Sequence, residues 1–177
     1  MTQYQIPGYL RAKVALIFQV TKTRYIARAT HKESLFDTEV LFSELIDSIK
    51  LHSVLRRRYQ TLLNIKGIGK RTASKLIILL PQLGTKSEQD RSQLCSYVGL
   101  DARSSKMSNK KKHSERLKNI RFTLFHAAIS LIQNNSSYRD YAKARFENGD
   151  KTHTVVLSCA RKFLYQANAE IRKLEMI

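Results

Sequence analysis

The stretch NIKGIGKRTASKL, residues 64–76, lies between two helix-like patterns and predicts how they are joined. Upstream, YQTLLNI ends one apolar helical pattern, and downstream KRTASKLIILL forms another that stops at Pro81. Gly67 and Gly69 allow positive φ and a close approach of the backbone, which suits a tight turn. The sequence therefore predicts a helix-hairpin-helix at this point in the chain.

The predicted turn has the chemistry of a phosphate site. Free amides at the turn and at the N-terminus of the next helix bind a phosphate together with the helix dipole. Neighbouring basic and hydroxyl side chains contact further phosphates without reading bases. The alternative is an αα-hairpin that is closed by a glycine C-cap and binds nothing. The candidate nucleic-acid-binding residues of the turn are Lys66, Gly67, Gly69, Lys70, Arg71 and Thr72.

Length and charge narrow the class of protein. The 177 residues suffice for one hydrophobic core and a helical extension. The 32 Lys and Arg against 14 Asp and Glu give a net charge of +18, which favours a polyanionic partner such as nucleic acid. A membrane surface is the competing interpretation, but the basic residues are not confined to one face of one amphipathic helix. Without a secretory signal or a long apolar run, a cytoplasmic protein is expected.

Apolar periodicity predicts an all-α fold in two parts. Residues 1–58 are expected to form a coiled-coil-like arm of two long antiparallel helices, which serves as a spacer or dimerises the protein. The second of these helices is expected to run from about Ser34 into the turn. Residues 59–177 are expected to form the helical domain that contains the hairpin. The two cysteines and five histidines lack metal-ligand spacing, so no metal site is predicted.

A basic segment, DARSSKMSNKKKHSERLK at residues 101–118, predicts an exposed loop. Between Arg103 and Arg121 the chain has eight Lys or Arg against one acid, with serines interleaved. A serine beside cations can attack a phosphodiester, because the cations stabilise the alkoxide and the pentavalent transition state. The alternative is a solvated loop whose serines only hydrogen-bond to phosphates. Its candidate nucleic-acid-binding residues are Arg103, Lys106, Lys110, Lys111, Lys112 and Arg121.

The turn also invites comparison with helix-hairpin-helix DNA glycosylases, which act on a flipped base with a hairpin lysine and a later aspartate. Arg71 occupies the position of that lysine, and arginine cannot deprotonate to form a Schiff base. Asp90 lies at a plausible distance but in a polar loop. The glycosylase class is kept only as an alternative.

Several segments together, in this order, resemble the C-terminal domain of insertion-sequence transposases related to pilin-gene invertases. They are LLNIKGIGKRTASKLI, LCSYVGLDAR, the basic serine loop, IRFTLFHAA and VVLSCARKFLYQANAEIRK. The arm segment LRAKVALIFQVTKTRYIAR is similar to the connecting helices of that family. The resemblance implies a recombinase that works with DNA and a structured guide RNA. It also implies an N-terminal RuvC-like domain with four metal-binding acids, which this sequence does not contain.

By motif, the nucleophilic serine of that family falls on Ser108, with Ser105 and Ser104 as alternatives. Arg121 matches the arginine that closes the loop at the following helix. The resemblance implies Mg²⁺ for the complete enzyme and no cofactor in this chain, which is expected to bind nucleic acid but to be inactive alone. A homo-oligomer through the arm and no membrane are the further expectations. The alternative from another class is a non-catalytic helix-hairpin-helix protein that binds DNA or serves in assembly.

Overall fold

The computed structural model of the protein describes residues 6–29, 38–84, 91–100 and 115–175, which hold eight helices and no β-strand. The predicted all-α class is confirmed. None of the described helices is both long and apolar enough to cross a membrane. The helices are α1 (Gly8–Ala29), α2 (Thr38–Leu51), α3 (Ser53–Leu63), α4 (Lys70–Leu79), α5 (Arg91–Tyr97), α6 (Glu115–Asn134), α7 (Ser136–Glu147) and α8 (Thr152–Glu175).

The two longest helices of the C-terminal half, α6 and α8, pack against each other and support the turn. Helix α3 packs on α8 and α4 packs on α6, so the turn between α3 and α4 lies over this pair. Leu124 and Leu131 of α6 and Phe163 of α8 are fully buried at the centre. The buried apolar residues of α6 recur every three or four positions and form the stripe that this helix turns inward, at Ile120, Leu124, Ala127, Ala128 and Leu131.

The arm helices α1 and α2 form the predicted antiparallel pair, and they also reach α4. Tyr9 lies beside His52, while Lys13 Nζ is 3.4 Å from Glu44 Oε2 and 3.3 Å from Ser48 Oγ. Both helices contact α4, and their buried side chains belong to the same hydrophobic cluster as those of the other helices. The division of the chain at residue 58 stays a prediction.

The second predicted helix differs from the expectation, because it divides at His52. Helix α2 ends at Leu51 and α3 begins at Ser53, with His52 in an extended conformation at φ −98° and ψ 112°. The break allows α2 to stay on α1 while α3 packs on α8. Apolar periodicity continues on both sides of His52, so only the tertiary packing reveals the break.

Candidate nucleic-acid interface

The turn between α3 and α4 uses its two glycines differently. Gly67 has φ +103°, a conformation that side chains with a Cβ rarely adopt. Gly69 is extended, with φ −88° and ψ 166°, and is the N-cap of α4. The expectation of a positive φ therefore holds for Gly67 and is wrong for Gly69.

Gly67 also brings the turn into direct contact with the end of α6. A Cβ on Gly67 would lie 3.2 Å from the Cα of Leu131 and 3.3 Å from the carbonyl oxygen of Ser130. Ser130 Oγ donates a hydrogen bond of 2.7 Å to the Gly67 carbonyl, and Asn135 Nδ2 donates one of 3.0 Å to the Lys66 carbonyl. Side chains of α6 and of the residue that follows it thus donate hydrogen bonds to the carbonyls of Lys66 and Gly67.

The amides at the start of α4 have no such partners. Gly69 provides no side-chain cap, and the first helical bond runs from the Ala73 amide to the Gly69 carbonyl. Among the hydrogen bonds between described residues, none involves the amides of residues 69–72. Unsatisfied amides and the positive end of the helix dipole together favour an anion at this position.

The cations predicted around the turn are in two different environments. Lys66 and Lys70 are exposed, and neither side chain forms a hydrogen bond or ion pair with any residue that the structure describes. Arg71 forms an ion pair with Glu39, and its guanidinium carbon lies 5.2 Å from the centre of the Phe42 ring. The two lysines are therefore available to a phosphate, whereas a phosphate at Arg71 must compete with a carboxylate.

Lys75, one turn of helix beyond Arg71, was missed by the sequence reasoning. Its Nζ lies 4.6 Å from the ring centre of Phe18 and 5.0 Å from that of Phe42. Burial, and to a lesser extent the charge of Arg71, lowers the pKa of Lys75 to about 8. The spacing of four residues from Arg71 was the available signal, because it places both cations on one face of α4.

The residues predicted in the basic segment fall largely outside the described residues. Those are Arg103, Ser104, Ser105, Lys106, Ser108, Lys110, Lys111 and Lys112. Their nucleic-acid contacts and the nucleophilic role of Ser108 stay predictions, as does the place of Asp90 in the glycosylase alternative. The two flanks of the segment, at Leu100 and Glu115, are described.

Arginines hold both flanks of that segment. Arg161 Nε donates a hydrogen bond of 2.7 Å to the Leu100 carbonyl. Arg121 lies against Gly99, where a Cβ would be 3.7 Å from its Cδ. Arg116 donates to the Leu79 carbonyl at 3.2 Å and also to the Tyr97 hydroxyl. These contacts fix the described residues on either side of the segment, at Leu100 and in the first turns of α6.

Together these observations define a class of site, an exposed turn whose free amides and lysines suit an anion, on a strongly basic chain whose described part is all-helical. Residues 59–143 match the sequence profile of the family described as Transposase IS116/IS110/IS902 family. The match begins in α3, ends in α7 and covers slightly less than half of the chain, so it includes the turn and the basic segment. It supports a relation to insertion-sequence transposases and a role in transposition. A search of curated proteins gave no significant match.

Proposed function

We propose that this chain acts in DNA transposition as the C-terminal part of an insertion-sequence transposase and holds the DNA backbone at the turn before α4. The observation that carries the proposal is the row of unpartnered amides at residues 69–72, with Lys66 and Lys70 exposed beside it. Backbone amides, a helix dipole and lysines bind phosphates irrespective of sequence. The family match over residues 59–143 supports DNA as the source of those phosphates.

The chemical step is proposed for the basic segment and not for the turn. Ser108, with Ser105 and Ser104 as alternatives, attacks a DNA phosphate. The serine oxygen–phosphorus bond forms as the bond from phosphorus to the sugar oxygen breaks, and the proton lost by the serine hydroxyl is balanced by the one that the departing sugar oxygen takes up. Cations beside the serine stabilise the charge on the pentavalent phosphorus. Arg121 and Arg161, which hold the flanks of the segment, act as positioning residues for this step.

Mg²⁺ and the guide RNA belong to the complete enzyme in this proposal. Among the described residues, no group of three or more His, Cys, Asp or Glu side chains could hold a metal ion. The described helices therefore do not fit a Mg²⁺ site, and no step above passes through the metal. A structured RNA is proposed as a second partner on the resemblance of the sequence motifs alone.

Salt titration of DNA binding tests the role of the turn. The double variant Lys66→Gln/Lys70→Gln should bind duplex DNA about tenfold more weakly and should reduce the slope of log K against log salt by about 2, because two phosphate contacts are lost. Lys173→Gln, in the last turn of α8, is the matched control and should change neither quantity. An affinity that does not depend on salt, or a double variant that binds like the unchanged chain, would contradict the proposal.

Serine substitutions test the chemical step once a RuvC-like domain is supplied. Ser108→Ala should leave DNA binding intact and abolish strand transfer, because no other atom replaces Oγ in the new ester bond. Ser104→Ala and Ser105→Ala test the two alternatives in the same segment and should retain activity if Ser108 is the nucleophile. Strand transfer by the Ser108→Ala variant would remove Ser108 from the mechanism.

A further inference from the structure

A groove between α4 and α6 presents an aromatic surface beside the turn. Phe122 is 52% exposed, although it is a large apolar side chain. Its ring centre lies 4.3 Å from that of His126 and 6.4 Å from that of Phe18, which meets it edge-on. The space between the two helices is about 150 Å³, and its lining residues are Arg71, Thr72, Lys75, Phe122, Thr123 and His126.

Packing in the hydrophobic core does not explain the position of Phe122. The next two residues of α6, Thr123 and Leu124, are buried and complete the contact of this helix with the interior. Phe122 instead points into a groove whose opposite wall carries the cations Arg71 and Lys75. An exposed ring beside cations is the composition of surfaces that stack nucleobases while they neutralise the strand.

The groove begins beside the proposed phosphate site, because Arg71 and Thr72, whose amides belong to that site, are among its lining residues. A strand whose phosphate is held at the turn therefore reaches the groove with a neighbouring base. A second copy of the chain fits less well, since its net charge of +18 would oppose the cations that line the groove.

We infer that Phe122 and His126 form a stacking site for an unpaired base of a DNA strand whose backbone lies along α4. The inference rests on the proposed function. It adds a preference for unpaired over duplex DNA, which the turn alone does not provide. Stacking requires a base that has left the duplex, so this site acts on single-stranded or opened DNA. Phe122 provides the platform and His126 supports it from the side.

The test compares Phe122→Ala with Phe146→Ala. Phe146 on α7 is similarly exposed, at 45%, and does not line the groove, so it is the matched control. Phe122→Ala should weaken binding of a fluorescent oligothymidylate about tenfold and leave duplex binding within twofold, since only the unpaired base stacks. Phe146→Ala should change neither affinity. In an oligonucleotide that carries 2-aminopurine, the quenching by the unchanged protein should be lost in Phe122→Ala.

Two further variants keep the test decisive. Phe122→Leu retains apolar bulk without a π face and should behave like Phe122→Ala even if the alanine variant is unstable. Phe122→Trp keeps an aromatic face and should bind the single strand as tightly as the unchanged protein does. Thermal unfolding of each variant establishes that the folded protein is being compared.

The possible failures separate the inference from the proposed function. If Phe122→Leu binds oligothymidylate normally while Lys66→Gln/Lys70→Gln loses duplex DNA, the stacking site is wrong and the backbone site stands. If the lysine variant binds normally as well, both are wrong. Sensitivity to Phe122→Leu that is confined to oligouridylate would replace DNA by RNA and overturn the assignment. Loss of a dimer in Phe122→Leu, with unchanged binding of oligothymidylate, would assign the groove to a second copy.

Discussion

The turn before α4 and the flanks of the basic segment use positive charge in opposite ways. At the turn, the side chains of Lys66 and Lys70 are exposed and form no hydrogen bond or ion pair with a described residue. At the flanks, Arg116 and Arg161 donate hydrogen bonds to backbone carbonyls within the protein. A net charge of +18 therefore does not by itself locate a nucleic-acid site. The proposed site instead lies where exposed lysine side chains have no described hydrogen-bond or ion-pair partner.

The identity of the side chain explains this difference. Leu79 is the last residue of α4, so its carbonyl has no partner within the helix, and Arg116 donates to it. A planar guanidinium with five donors can bond a carbonyl and still stack on a ring, as Arg116 does on Tyr97 at 5.4 Å. Lysine has a compact and strongly hydrated charge, so an exposed lysine binds a phosphate as a point charge and without a fixed geometry.

The largest expected effect comes from replacing each glycine of the turn separately by alanine. Gly67→Ala should lower the free energy of unfolding by about 2–4 kcal/mol, because it imposes an unfavourable φ and places a Cβ 3.2 Å from Leu131. Gly69→Ala should lower it by less than about 1 kcal/mol, since Gly69 has φ −88° and open space around it. Urea denaturation measures both values. Equal losses would mean that Gly67 is not the residue that fixes the turn.

A smaller loss of stability is expected when an arginine of the flanks is removed. Arg161→Met should lower the free energy of unfolding by about 1–3 kcal/mol, because the Leu100 carbonyl loses its donor. The affinity for duplex DNA should stay the same. Arg172→Met, near the end of α8, is the control and should cost a few tenths of a kcal/mol through the helix dipole. A variant at Arg161 that binds DNA weakly but keeps its stability would make the flanks part of the DNA surface.

The helices could be predicted from sequence because apolar spacing is a local signal. The buried apolar residues of α6 and α8, such as Leu124, Leu131 and Phe163, recur at the spacing of a helix. The break at His52 could not be predicted in this way, since the spacing on either side is equally helical. It exists because α2 and α3 pack on different partners. Element positions follow from periodicity, whereas changes of direction follow from tertiary contacts.

The same distinction between local sequence signals and tertiary contacts applies to the residues of the candidate site. The lysines of the turn could be predicted because glycines and basic residues are adjacent in the sequence. Phe122 could not, since it meets Lys75 only where α4 packs on α6. The Arg71–Glu39 pair likewise joins two helices that are distant in sequence. Ser108 rests on motif order alone, and its role stays a prediction.

The smallest expected effect concerns Lys75, whose Nζ lies close to the rings of both Phe18 and Phe42. Burial and the charge of Arg71 lower the pKa of Lys75 from 10.5 to about 8, so between these values the unfolded chain binds more protons than the folded protein. The free energy of unfolding should therefore rise by about 1 kcal/mol from pH 7.5 to pH 9, and the rise should be absent in Lys75→Met. Binding of oligothymidylate should weaken over the same range only in the unchanged chain, because Lys75 loses its charge there. Urea denaturation and fluorescence titration at these pH values measure both effects. Identical pH profiles for the two proteins would show that attraction to the Phe18 and Phe42 rings offsets the burial and keeps Lys75 as available to a phosphate as Lys70.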